Sequence, residues 1–283
     1  MVWEQNVCDT HVEAAAIAVE AGNDFVMTTP EFFDAAQQAV AQGLLDESLI
    51  NAAVRRILTL KFELGLFEDS RRLDDSRQAI IGAAEHAETN LEIARRGLVL
   101  LRNDGTLPLT APTDHTPTIA VIGPNADDQH AQLGDWAGAS GQIPWMPEGH
   151  PRELTATVLD GIKTFVPADW TVTYTRGADI GEEIIDPAGE VLRDGQPRPK
   201  LFIPAPADRG MIDEAVRTAQ SADWAVVVLG DTVALTGENR STATLELQGG
   251  QIALLDALID SGTPVIVVLI QSKPSVLPAS AER

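Results

Sequence analysis

Apolar positions along this chain follow two rhythms. In the first eighty residues the period is helical. Residues 9–21 (DTHVEAAAIAVEA) predict a helix that Gly22 ends, and the apolar run DFVMTT predicts a short strand after it. Pro30 opens a second predicted helix through FFDAAQQAVAQ, stopped by Gly43. Asp46 stands at the N-cap of a third, ESLINAAVRRILTLKFEL, in which Ile50, Val54, Ile57, Leu58 and Lys61 are spaced to share one face. Helix, strand, helix, helix is part of an α/β unit, not a complete domain. Residues 66–84 carry charge and little periodicity, as a linker would.

Beyond the linker the rhythm changes. A helix is predicted from about Glu85 to Leu101, and Asn103-Asp104-Gly105 is a turn. Four continuous apolar runs follow: TIAVIGP, WTVTYTRG, DWAVVVLGD and TPVIVVLIQS. Amphipathic stretches separate them: TATVLDGIKTFV, RGMIDEAVRTAQSA and GGQIALLDALIDSG. Val/Ile/Leu runs alternating with helices predict a parallel sheet covered on both faces. Residues 180–208, rich in Pro, Gly and charge, are expected to form a long surface loop. The sequence stops at SAER shortly after a core strand, where a doubly wound domain would continue.

Composition narrows the partners. The 283 residues can bury roughly three quarters of their unfolded surface, so neither disulfide nor metal is needed for folding. The formal net charge is −22 with a pI near 4.4. This argues against nucleic acid and against an anionic membrane surface, both of which need clustered Lys and Arg. Cys8 is the single cysteine, so no internal disulfide can form, and its ordinary role is a buried or incidental thiol. No apolar run is long enough to span a membrane, and the first residues lack a signal-like pattern. With one cysteine, that points to a cytoplasmic compartment.

Ligands of open parallel sheets bind beyond the carboxyl ends of the strands, and two loops there could carry chemistry. The loop after DWAVVVLGD reads TVALTGENRSTATLELQGG and holds Glu238, a carboxyl group that partial burial could bring into the range of a general acid. The plain alternative is one surface acid among 42. The loop after TIAVIG holds Trp136 and Trp145, whose rings could stack on sugar C–H faces or simply pack beneath the loop. His130 and His150 lack metal-ligand spacing, so no metal is expected. IGPNAD has one glycine where a dinucleotide fingerprint has three, so no nucleotide cofactor is expected either.

A run of motifs resembles glycoside hydrolase family 3. EAGNDFVMT looks like the last strand region of that family's barrel domain. VRRILTLKFELGLFE, ARRGLVLLRNDGTLPL, IAVIGPNADD, LGDWAG, TVLDGI, ADWAVVVLGD, TGENRS and LELQGGQIALLDAL look like its second domain, in family order. The implied architecture is a C-terminal remnant of a (β/α)8-type barrel over 1–65, a linker over 66–84, and an α/β/α sandwich with a mostly parallel sheet over 85–283, cut at its C-terminal end.

The resemblance implies retaining hydrolysis of terminal β-D-glucosides by an exo-acting enzyme. One carboxylate attacks the anomeric carbon, and a second protonates the leaving oxygen and then activates water. Glu238 falls where many members place the acid/base, although Asn239 and Arg240 depart from the commoner Gly-Glu-Gly-x-Asp-Arg form. Trp136, Trp145 and Arg240 are implied as sugar contacts, and no cofactor is implied. The family nucleophile is an Asp, usually followed by Trp, on a barrel strand before the helix that here begins near Asp9. Residues 1–6 hold no such Asp, so Met1 is expected to be internal or a late start, and the chain alone to be inactive. Asp135-Trp136 mimics that motif but lies in the second domain and is set aside. A β-xylosidase and a non-catalytic α/β carbohydrate-binding or structural module are the alternatives. The expected partner is an oligosaccharide or other β-glycoside, and the helix face around Val54 and Ile57 leaves homo-oligomerisation open.

Overall fold

The computed structural model describes residues 1–2, 5–27, 29–72, 75–134, 150–192, 197–237, 240 and 242–282, and of residue 77 only the backbone. The chain divides into two compact units, Met1–Leu100 and Leu101–Arg283.

The first unit is helical. Thr10 caps α1 (His11–Glu20) through a reciprocal pair of bonds with Glu13. Helix α2 spans Phe32–Ala41, and α3 spans Glu47–Glu63 with Asp46 accepting from the Ser48 N–H at 2.8 Å. Ala15, Ala16, Ala35, Ala36 and Ala39 let α1 and α2 approach closely, and Val19 and Leu45 close the small core. Two expectations change here. Residues 24–27 form no strand, because no strand among the described residues takes their backbone N–H and C=O groups. Asp24 instead grips Arg56 of α3 through two bonds of 2.7 and 2.6 Å. The α3 face around Val54 is exposed, as the sequence led us to expect: Ala53 is its buried residue, while Val54 and Leu58 are 46% and 40% exposed. Helix α4 (Ala84–Gly97) stops four residues before the expected end, leaving Leu98–Leu101 non-helical and exposed. Gly97 is a poor helix former, and β-branched Val99 adds little to continue it.

The second unit is the predicted α/β sandwich. Strands β1 (Thr118–Ile122), β2 (Thr171–Thr175), β5 (Trp224–Gly230) and β6 (Val265–Ile270) form one parallel sheet in the order β2-β1-β5-β6. Successive side chains face opposite sides. Ala120, Ile122, Ala225, Val227 and Leu229 meet α7 (Arg209–Gln220) and α8 (Gln251–Asp260). Ile119, Val121, Val226 and Val228 meet Leu159 of α6 (Val158–Phe165). The short helix α5 (Gln129–Leu133) lies in the loop after β1. Within the expected surface loop 180–208, β3 (Gly181–Ile184) and β4 (Leu201–Pro204) pair as an antiparallel ribbon. Its strands are four residues each and sixteen apart, too short for alternation to reveal.

The strand order sets the site. The chain leaves β1 for β2 on one side, then crosses back through α7 to β5 on the other. The connection therefore reverses between β1 and β5, and open α/β sheets bind their ligands beyond the carboxyl ends of the strands at such a point. No helix among the described residues is long and apolar enough to cross a membrane.

Candidate functional site at the carboxyl edge of the sheet

Two glycines end the central strands. Gly123 follows β1 and Gly230 closes β5, at φ values of +124° and +142°. A Cβ on Gly123 would collide with the carbonyl of Val228, and one on Gly230 with the carbonyl of Ile270. Only glycine lets both strands turn outward this close to their neighbours.

Buried polar side chains tie the loop roots together. Gln251, 0% exposed at the start of α8, accepts from the Gly230 N–H and donates to the Gly230 carbonyl, both at 2.9 Å, and also to the Gln248 carbonyl. Asn125, after β1, donates to the Asp231 carbonyl at 2.7 Å. Its Oδ1 is buried with no hydrogen-bond partner among the described residues. Asp231, 7% exposed, accepts from the Lys273 ammonium at 2.7 Å, and Lys273 also donates to the Leu235 carbonyl at 3.3 Å. Three loops, those after β1, β5 and β6, thus share one polar root.

The loop after β5 makes a 3₁₀ turn at Val233–Leu235, whose Leu235 is buried. Gly237 takes φ +95°, and the Arg240 N–H donates to its carbonyl at 3.3 Å. The Arg240 guanidinium forms an ion pair with Glu183 of the β3–β4 ribbon, the two side chains being 22% and 24% exposed. Glu238 and Asn239 lie outside the described residues, between these placed neighbours.

The loop after β1 is built on acids. Asp128 caps α5, accepting from the N–H groups of His130 and Ala131. Asp127 accepts from Arg152 at 2.6 Å and from the Thr157 hydroxyl at 3.0 Å, and Arg152 also meets Asp160 at 2.7 Å. The Arg152 guanidinium, and then the Thr157 N–H, hold Asp160 below the usual carboxylate range. The IGPNADD motif thus serves the return of the loop to α6. Gln129 donates to the His150 carbonyl at 3.2 Å. Trp136 and Trp145, with Asp135, lie outside the described residues.

Of the four site residues expected from sequence, Arg240 alone is described, and it sits against Glu183. The two segments carrying the others leave from adjacent strands, whose roots the Asn125–Asp231 bond joins. Asn125, Asp231, Gln251, Lys273 and Glu183 escaped the sequence-based search. The polar residue ending each apolar run was a signal for Asp231. Glu183 lies 57 positions from Arg240 and offered none.

The chain is 29% identical over 278 residues to a β-xylosidase of Formosa agariphila, covering 95% of this chain and 34% of that one. It is 30% identical over 273 residues to a periplasmic β-glucosidase of Salmonella typhimurium, covering 94% and 33%. Among solved structures, a β-glucosidase involved in saponin metabolism from intestinal bacteria is 56% identical, with a TM-score of 0.86 over 98% of this chain and 37% of that one. The chain thus spans about a third of the length of these relatives. The family model for the glycosyl hydrolase family 3 C-terminal domain matches residues 98–283, which take in the whole parallel sheet and its three loops. With its sheet, its loops and most of its length accounted for in this way, the chain belongs to glycosyl hydrolase family 3.

Proposed function

We propose that this chain contributes the acid/base arm of an exo-acting, retaining β-glycosidase that removes terminal β-D-glucose. Glu238 protonates the departing glycosidic oxygen and later takes a proton from the attacking water. Trp136 and Trp145 stack on the sugar. Arg240 keeps guanidinium N–H groups beyond the one on Glu183 and remains in the proposed sugar-contacting set. The observation that carries this proposal is the shared root of the two loops bearing these residues, at the strand reversal where α/β sheets bind ligands. The 56% identity to a β-glucosidase favours glucosides, while the Formosa relative keeps β-xylosides as the second substrate class. Neither nucleic acid nor membrane is proposed as a partner. The limits 1–65, 66–84 and 85–283 are our proposed domain boundaries.

None of the 283 residues matches the nucleophile's place in the family resemblance, so the nucleophile is proposed to come from outside this sequence. The chain by itself should give negligible turnover of an aryl β-glucoside, and clear turnover with retention would overturn that part. To test Glu238, the chain replaces the matching segment of the 56%-identical β-glucosidase. In that chimera Glu238→Ala should lower turnover by about 10²–10⁴-fold, most with poor leaving groups. Wild-type rates on such substrates would remove Glu238 from the role.

A further inference from the structure

The loop after β5 is anchored twice, to two different parts of the fold. At its root Lys273, from the loop after β6, holds the Asp231 carboxylate at 2.7 Å and reaches the Leu235 carbonyl at 3.3 Å. At its far side Arg240 is paired with Glu183 on β3, outside the parallel sheet. The first anchor is well buried on the Asp231 side, and the second has both partners largely out of water, where ion pairs are less screened than at the surface. Gly237 N-terminal to positions 238 and 239, and Arg240 after them, are therefore both placed.

We propose that Glu183 and Lys273 are positioning residues that fix the β5–α8 loop on either side of Glu238, the ribbon serving as a fixed post for Arg240. This rests on the acid/base assignment made above. The pairs have separate purposes. Lys273 sets the direction in which the loop leaves the sheet, since it joins the loop's first carboxylate to its 3₁₀ turn. Glu183 fixes the far side, since its partner Arg240 stands three positions after Gly237 and donates its N–H to the Gly237 carbonyl. An Arg240 without its acid would leave a largely buried cation unpaired, so the segment would move outward to hydrate it.

The test needs no turnover and uses the 283-residue chain. Hydrogen exchange is followed in peptides covering 231–247 for wild type, Glu183→Gln, Lys273→Gln and the exchanged pair Glu183→Arg with Arg240→Glu. Glu183→Gln should speed exchange in this segment by about two- to fivefold, the range for losing one partly exposed ion pair, with peptides of β1 and β6 unchanged. Glu183→Asp should return part of the protection and the exchanged pair most of it. A merely structural effect of the substitution would not be repaired by reversing both charges. Lys273→Gln should speed exchange at 231–236. Unchanged exchange in both single variants, or an exchanged pair that folds yet stays unprotected, overturns the proposal. Rescue by the exchanged pair alongside a Glu238→Ala chimera of full activity would uphold the anchors and reject the acid/base assignment alone.

Discussion

His115 lies at the opposite, amino-terminal end of the sheet, between two acids. Its Nε2 is 2.7 Å from Asp223 and its Nδ1 2.8 Å from Asp114, so both ring nitrogens face carboxylates. The bond to Asp223, then that to Asp114, raises its pKa above 6.5. A group whose pKa is raised on folding stabilises most when charged in both states, and this contribution fades as pH climbs through the folded value. The melting temperature should therefore fall as pH rises above about 6.5 by an increment absent from His115→Asn, as thermal melts at increasing pH would record. Equal pH profiles for the two proteins would remove His115 from the account. Gln251 is a second residue with a sharp expectation. It accepts from the Gly230 N–H and donates to the Gly230 carbonyl, so Gln251→Leu strands a buried donor and a buried acceptor. The loss should be about 2–4 kcal/mol in urea denaturation, and less than 1 kcal/mol would mean that the strand end finds other partners. Position 251 was legible from sequence only as part of a helix, because its backbone partner sits 21 residues away.

At the scale of elements, every strand of the parallel sheet and each of its three covering helices was legible. Runs of five or six consecutive β-branched or aliphatic residues, as in β1, β5 and β6, can be satisfied only by burial on both faces. The misreadings share one cause: they concern segments whose state depends on a neighbour. Residues 24–27 and each strand of the β3–β4 ribbon are alike in length, but among the described residues the ribbon strands pair and residues 24–27 do not. Helix α3 makes the converse point. Its apolar period is plain, yet Val54, Leu58 and Phe62, which share one side of the helix, remain exposed. Such a stripe favours self-association. Sedimentation should show concentration-dependent assembly of the chain that the Val54→Lys, Leu58→Glu variant reduces, and a monomer at all concentrations would contradict this.

At the scale of the whole molecule, the two units differ in what holds them. The core of Met1–Leu100 is made mostly of alanines, each contributing little apolar area, while the core of Leu101–Arg283 gathers Val, Ile and Leu on both faces of the sheet. Native-state hydrogen exchange should therefore find the slowest amides in β1 and β5, and amides of α1 and α2 opening at markedly lower free energy. Comparable protection in both would show that alanine packing suffices. The family, the parallel α/β sandwich and the loops at its carboxyl edge followed from the sequence alone. Periodicity and turn residues are local, and a chain writes them position by position. Tertiary structure alone decided the polar root and the anchors. Asn125 with Asp231, Lys273 with Asp231 and Arg240 with Glu183 are 106, 42 and 57 residues apart, and each pairing exists only because parallel strands bring their carboxyl ends, or a ribbon its acid, to one place. Burial then makes the choice of partner matter, since an unpaired charge or amide is costly only once water has been removed.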